Sequence, residues 1–319
     1  MSNSNEHFQF TDERFADLQM LRYRLNGFED LTLSQQIYIY CLAKATLMGR
    51  DITFDQQGKY NLRIRKTLEA IYKHYDGDRT SDDFKALEVY LKRVWFSSGI
   101  YHHYGCEKFK PGFSEHFFYE AVSLMPETEL PLRRGETKED LLDELVPVIF
   151  DEEVLPKRVN QTDGVDLVAT SACNFYEGVN QDEVERFYAR LKDGEDLTPP
   201  SYGLNSKLMK RNGEIVEKTW KEEGMYGSAI KEIISWLLKA QKYTENEQQA
   251  HVIDLLIKYY RTGDLSDFDR YSIAWVKQQE GMVDFINGFI EVYGDPLGLK
   301  GTWEGLVEFK DMEATRLSQ

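Results

Sequence analysis

A chain of 319 residues with 41% hydrophobic residues, 18 Phe, 19 Tyr and 5 Trp can bury a sizeable core, as two domains or one elaborated domain, and does not have the composition of a disordered chain. Its 39 Lys and Arg stand against 55 Asp and Glu, a net charge of −16, which argues against a nucleic-acid partner because phosphate-backbone affinity needs a basic face. Cys41, Cys106 and Cys173 lie far apart and compose neither a disulfide framework nor a CxxC clip; no apolar run approaches a membrane span, and the polar first twelve residues carry no secretory signal, so a cytoplasmic protein is expected.

In chain order the pattern is mostly helical. Residues 34–48 place Ile37, Tyr40, Cys41, Leu47 and Met48 at helical spacing and stop at Gly49. Asn61 is positioned to cap a second helix that presents Leu62, Leu68, Ile71, Tyr72 and Tyr75 before Gly77. Ser81 starts a third, with Phe84, Leu87, Val94 and Trp95 at core spacing, and the three read as one bundle. Residues 126–138, rich in charge and proline, read as a loop or boundary. Thr137-Lys-Glu-Asp140 and Asn180-Gln-Asp-Glu183 carry capping signals, and Thr244-Glu-Asn-Glu247 is the cleanest capping box, opening a helix that runs to Tyr260 with Gly263 beyond it.

Strands fall in the second half. Asn212-Gly213 lies between two short runs in residues 207–217 and supplies the positive φ of a hairpin turn. Residues 288–293 and 302–309 read as two further strands, separated by the turn Gly294-Asp-Pro-Leu-Gly298. Helices first and clustered strands later predict an α+β body, mainly helical with a small antiparallel β-barrel or sheet.

The chain carries no HExxH, GxSxG, Walker or GxGxxG motif. In Tyr101-His-His-Tyr-Gly-Cys-Glu107, His103, Cys106 and Glu107 are conceivable mixed metal ligands, but adjacent histidines diverge and no second ligand pair exists, so an aromatic loop packing on the bundle is the better reading. Asp284, Glu291 and Asp295 surround a strand-like stretch, where one carboxylate can meet a ligand amine or simply end a strand in solvent. Asn174-Phe-Tyr-Glu-Gly178 suits a cleft lining or an ordinary loop, and Tyr259, Tyr260 and Trp275 read as core or rim aromatics.

The runs Val89-Tyr-Leu-Lys-Arg-Val-Trp-Phe-Ser-Ser-Gly-Ile-Tyr-His-His-Tyr-Gly-Cys-Glu-Lys-Phe-Lys-Pro-Gly-Phe113 and Asn287-Gly-Phe-Ile-Glu-Val-Tyr-Gly-Asp-Pro-Leu-Gly298, with Ala16-Asp-Leu-Gln-Met-Leu-Arg-Tyr-Arg24 and Gly58-Lys-Tyr-Asn-Leu-Arg-Ile-Arg65, resemble the dipeptidyl peptidase III family, and its bacterial branch in particular. That resemblance implies a two-lobed zinc metallopeptidase that removes dipeptides from the free amino end of short oligopeptides. It implies that this chain is the lower, non-metal lobe, with a five-stranded barrel flanked by helices. The zinc ligands of the family, in a HExxGH motif and a later EExxAE-like helix, have no counterpart in this chain, so zinc belongs to the full-length enzyme and to a catalytic lobe absent here. Within that lobe, residues 1–14 are expected to be a flexible N-terminus, 15–125 a helical bundle, 126–138 a loop and 139–319 helices plus barrel.

Aligned on Gly288, Asp284 takes the place of the family's ammonium-binding glutamate, and Ile286 stands where the family has a tyrosine. Asn287 is then the candidate to replace that phenol, and Glu291 and Tyr293 are further substrate contacts. The expected partner is an oligopeptide laid along an exposed strand, held by main-chain hydrogen bonds, with closure of the two lobes bringing it to the metal. By itself the chain is expected to be inactive. A non-enzymatic peptide-binding protein is the alternative. A glycosidase-like pair of Asp284 and Glu291 would require the segment to bend, because seven residues of straight strand at ~3.3 Å each separate them by roughly 23 Å.

Overall fold

The computed structural model describes residues 8–192 and 194–318. Its helices are α1 (Leu33–Met48), α2 (Arg50–Gln56), α3 (Asn61–His74), α4 (Asp82–Ser97), α5 (Glu115–Leu124), α6 (Lys138–Phe150), α7 (Gln181–Ala189), α8 (Gly227–Ala240), α9 (Glu247–Thr262), α10 (Leu265–Lys277) and α11 (Met312–Ser318). Local chemistry sets most of their starts. Ser81 and Ser114 accept from the third amide of α4 and α5, and Thr137 with Asp140 and Asn180 with Glu183 form reciprocal capping boxes at α6 and α7.

Three starts differ from the sequence reading. The first helix begins one residue earlier, on a Thr32–Gln35 box. Asn61 is not a cap: it is buried inside the first turn of α3, where its Oδ1 accepts the Ile100 amide, so tertiary demand overrides its local role. At α9 the cap is Asn246 and not Thr244, because Glu245 is drawn away to the amides of Met282 and Val283.

The helices divide between two main cores. One gathers α3, α4, α5 and α6 around Ile64, Leu68, Leu87, Leu91, Phe118 and Leu145, all essentially without exposure. The other gathers α1, α8, α9 and α10 around Leu42, Ile233, Leu237, Leu256 and Tyr260. The first helix therefore leaves the bundle expected for it. Tyr38, Cys41, Leu42 and Ala45 are its buried stripe, and that stripe faces α8 and the last two strands.

The strands form three separate sheets. Strands β1 (Thr11–Phe15) and β2 (Leu18–Leu21) make a hairpin tied to α4 by Lys92 to Glu13 and by Arg93 to Asp17 at 2.6 Å. Strand β3 (Tyr176–Glu177) runs parallel to β4 (Ser206–Arg211), which pairs antiparallel with β5 (Glu214–Thr219) across the Asn212-Gly213 turn, both residues at positive φ. Strand β6 (Val283–Phe289) pairs antiparallel with β7 (Trp303–Phe309), from Val283 opposite Phe309 to Phe289 opposite Trp303.

No closed barrel exists among the described residues, which corrects that part of the expectation; the α+β class stands. Closure needs each strand edge to meet another strand. Here the edge of β6 away from β7 is met by side chains: Glu245 accepts the Val283 amide, Gln249 donates to the Val283 carbonyl and Trp275 to the Phe285 carbonyl.

The expected strand over 288–293 also shifts: β6 ends at Phe289. Beyond it Ile290 donates to Thr302 and Thr302 donates to Glu291, two residues against one, and this bulge turns the chain out of the ladder. Gln56, fully buried at the end of α2, locks this region to the helices. Its amide donates to the Gly301 carbonyl and its carbonyl oxygen accepts the Trp303 amide. Gly49, between α1 and α2, has to lack a side chain, since an added Cβ would overlap the Trp303 indole.

Candidate functional site

Alternation along β6 and β7 sorts their side chains. Val283, Phe285, Asn287, Phe289 and Trp303 are buried in the second core. The opposite face carries Asp284 and Ile286 from β6 with Glu304, Leu306 and Glu308 from β7. Asp284 sits directly across from Glu308, and Gly288 across from Glu304. Like charges opposed across a ladder are unfavourable unless a cation or solvent separates them. This face is therefore acidic by construction, and the sheet leaves it half-buried to exposed.

Each sequence-selected residue has a definite place. Asp284 is half-buried on this face, with its Oδ1 accepting the Trp275 indole N–H at 3.1 Å. It lies near Tyr38 and Tyr271: burial pushes both phenols upward, and the Asp284 charge adds to that. Asn287 points the other way. It is buried, and its Oδ1 accepts the Tyr260 hydroxyl at 2.6 Å, so its amide steadies β6 from inside and does not face the open side. Glu291 is exposed at the bulge and close to Glu304, whose carboxyl is pushed up by burial and then by the Glu291 charge. Tyr293 is 72% exposed. Asp295 is no ligand: it is buried, accepts the Leu299 and Lys300 amides and the Tyr176 hydroxyl, and so organises the 294–300 turn. Tyr176 and Glu177 are strand, and Asn174 is buried against Lys207 and Asp55, so the 174–178 segment is framework.

Tyr293 stands where the two halves of the molecule approach each other. A cavity of about 200 Å³ lies there between Gln56, Ser97, His103, Arg158, Phe175 and Tyr293. A wider depression of about 560 Å³ shares His103, Arg158 and Tyr293 with it and extends past Cys106, Lys157 and Thr162. A roomier groove of about 640 Å³ between α9 and α10 contains none of the sequence-selected residues.

Sequence reasoning missed Glu304, Glu308 and Arg158. The four-residue spacing of Glu304 and Glu308, two periods of strand alternation, carried the signal for the first two; nothing local marks Arg158, because its neighbours come from loops distant in sequence.

Residues 202–319, which include β4 to β7, match the model of Peptidase family M49. Human dipeptidyl peptidase 3 is 22% identical over 314 residues, 88% of this chain and 42% of the human protein; the Dictyostelium discoideum protein of the same name is 21% identical over 91% of this chain and 44% of its own length. Over most of its length the chain is similar to the dipeptidyl peptidase III family. The family fold extends through nearly the whole chain. DPP III from Caldithrix abyssi aligns with a TM-score of 0.59 at 16% identity, over 93% of this chain and 43% of that one, and dipeptidyl-peptidase III from Corallococcus sp. strain EGB with a TM-score of 0.59 at 14% identity, over 92% and 42%. The chain thus spans somewhat over two fifths of the length of these dipeptidyl peptidase III relatives.

The zinc implied by the family finds no donor set here. Among the described residues no three His, Cys, Asp or Glu side chains gather as metal ligands. In the 101–107 loop, the Nδ1 of His102 accepts the Tyr104 and Gly105 amides and the Sγ of Cys106 faces Arg158; the His102 ring stacks on His103 with centroids 4.5 Å apart, which corrects the expected divergence of the two histidines, because this segment is a turn and neither helix nor strand. These groups are committed to shaping the loop. Among the described residues no helix is long and apolar enough to cross a membrane.

Proposed function

We propose that this chain is the peptide-gripping, metal-free half of a dipeptidyl peptidase that releases dipeptides from the free amino end of short oligopeptides. The observation that carries the reading is the acidic open face of the β6–β7 ladder, in a chain whose relatives are named dipeptidyl peptidases. An exopeptidase that counts residues must fix the substrate's ammonium group, and a partly desolvated carboxylate does so through charge-assisted hydrogen bonds, each contributing about 1.5–3 kcal/mol. Asp284 is the first contact in this account. The Trp275 N–H orients its Oδ1 and leaves its second oxygen for the ligand. The Glu308 carboxylate opposite raises the local demand for a cation.

Glu291 and Tyr293 then flank the peptide further along, and Asn287 acts from beneath by holding β6 in register. The reaction itself needs the metal, which the missing catalytic lobe supplies; the residues here bind, orient and shield. The chain alone is predicted to be inert towards a dipeptidyl chromogenic substrate.

Calorimetric titration with an oligopeptide and its N-acetylated counterpart tests the assignment. The free amine is expected to bind at least about tenfold more tightly, and Asp284→Asn to abolish that preference. Equal affinity for the two peptides contradicts it.

A further inference from the structure

The two adjoining cavities beside Tyr293 share a basic wall. Not one residue lining either is acidic, although the chain carries 55 carboxylates among its 319 residues. Arg158 forms the wall between them and is only 8% exposed. One guanidinium nitrogen, Nη2, donates to the His103 carbonyl at 3.1 Å and to the Cys106 Sγ at 3.4 Å; Nε has no partner, and among the described residues no ion pair includes it. A buried cation without a counter-charge is costly, so something must offset it.

On the inner side the C-terminal ends of α2 and α4 line the smaller cavity through Gln57 and Ser98, and their partial negative charge steadies the guanidinium. On the outer side there is the wider depression, with the exposed Lys157 on its rim and no acid. His103 adds a second unpartnered group, since its Nδ1 is buried without a hydrogen bond, and burial together with the neighbouring His102 holds its imidazole below the usual range.

We infer that the depression walled by Arg158, His103, Lys157 and Tyr293 is a carboxylate-binding subsite, which takes the carboxylate of a peptide whose amino end lies on the acidic face of β6 and β7. The inference rests on the peptide-gripping reading and adds the opposite end of the ligand. The protein surface is polarised to match a zwitterion: carboxylates along β6 and β7, then a basic niche where the chain leaves the ladder. Asp284 and Tyr293 are nine residues apart, at most roughly 30 Å at ~3.3 Å per residue, so an extended peptide of about eight residues reaches from one to the other. A guanidinium carries five N–H donors, of which Nη2 uses two and Nε none, so charge-assisted donors remain for a carboxylate.

Cys106 provides a readout that needs no catalysis. It is half-buried beside Arg158, whereas Cys41 and Cys173 are buried with their thiols pushed up by that burial, so neutral iodoacetamide should alkylate Cys106 first. The experiment uses the 319-residue chain with an octapeptide, its C-terminal amide, an amide ending in Glu, and succinate as the bare dicarboxylate. The expected result is that the free acid binds about tenfold more tightly than the amide and that both the acid and succinate slow Cys106 alkylation. Arg158→Gln should erase the discrimination, and Lys157→Gln, which alters only an exposed side chain, should shrink it severalfold even if the first variant folds poorly. An amide ending in Glu that matches the acid assigns the site to any carboxylate at that reach; one that matches the plain amide assigns it to the terminal carboxylate.

Equal binding of acid and amide with no protection by succinate overturns the subsite and leaves the peptide reading standing. Protection by succinate with no peptide binding does the reverse, and neither effect removes both.

Discussion

Lys300 is the least conventional residue in the fold. It is fully buried; its ammonium donates to the Tyr188 hydroxyl and to the Ser206 Oγ, with the Glu217 carboxylate 3.9 Å away and the faces of Tyr176 and Tyr188 around it. Burial pushes its pKa down from 10.5 to about 8, against the opposing pull of Glu217 and Asp295. A base whose folded pKa is depressed is held less tightly charged in the folded than in the unfolded state. Its contribution to stability is therefore greatest above pH 10.5 and is lost as pH falls towards 8, by on the order of 3 kcal/mol across the whole interval. Urea unfolding at pH 7.5 and pH 9.5 should show the native chain gaining on Lys300→Met as pH rises; parallel behaviour of the two proteins would refute the assignment. Tyr176 and Tyr188, both pushed upward chiefly by burial, act in the opposite sense above pH 10, so the comparison belongs below that value.

At the scale of elements, Glu245 shows why a clean local signal can mislead. Its sequence context reads as the inside of a capping box, yet its carboxylate accepts the Met282 and Val283 amides at 2.8 and 2.9 Å and the Gln35 amide at 2.8 Å, closing the free edge of β6. Burial raises the carboxyl, and these hydrogen bonds outweigh it and hold the group below its ordinary value. That stability is present above about pH 4.5 and is lost as pH drops through the lowered value. Glu245→Gln should cost about 1–3 kcal/mol and raise amide exchange at residues 282–285 selectively; uniform exchange across the chain would count against an edge-closing role.

The same contrast explains what was legible in the sequence. Caps such as Thr137–Asp140 and Asn180–Glu183, and the Asn212-Gly213 turn, rest on neighbours three residues away or fewer, and the structure has them where the sequence places them. The bulge at 290–291, the burial of Asn287 and the absence of a barrel among the described residues depend on which distant elements meet β6, and no local pattern encodes that. The candidate carboxylate Asp284 was legible through a resemblance and its partner Glu308 through alternation. Arg158 was legible through neither.

For the whole molecule, the consequence of two cores is a seam, and the two cavities beside Tyr293 lie along it. Helices α3 to α6 bring the 101–107 loop and Arg158 to it; helices α1 and α8 to α10 carry the β6–β7 ladder whose exit delivers Tyr293. The relatives that the chain resembles are more than twice as long. Hence the central claim concerns what lies on this surface, and a crystal structure with an eight-residue peptide bearing both free termini tests it most directly. The account predicts the peptide's ammonium nitrogen within hydrogen-bonding distance of the Asp284 carboxylate and its chain running over the acidic face of β6 and β7 towards Tyr293. A peptide found elsewhere, for instance in the groove between α9 and α10, with the Asp284 face empty, would contradict it.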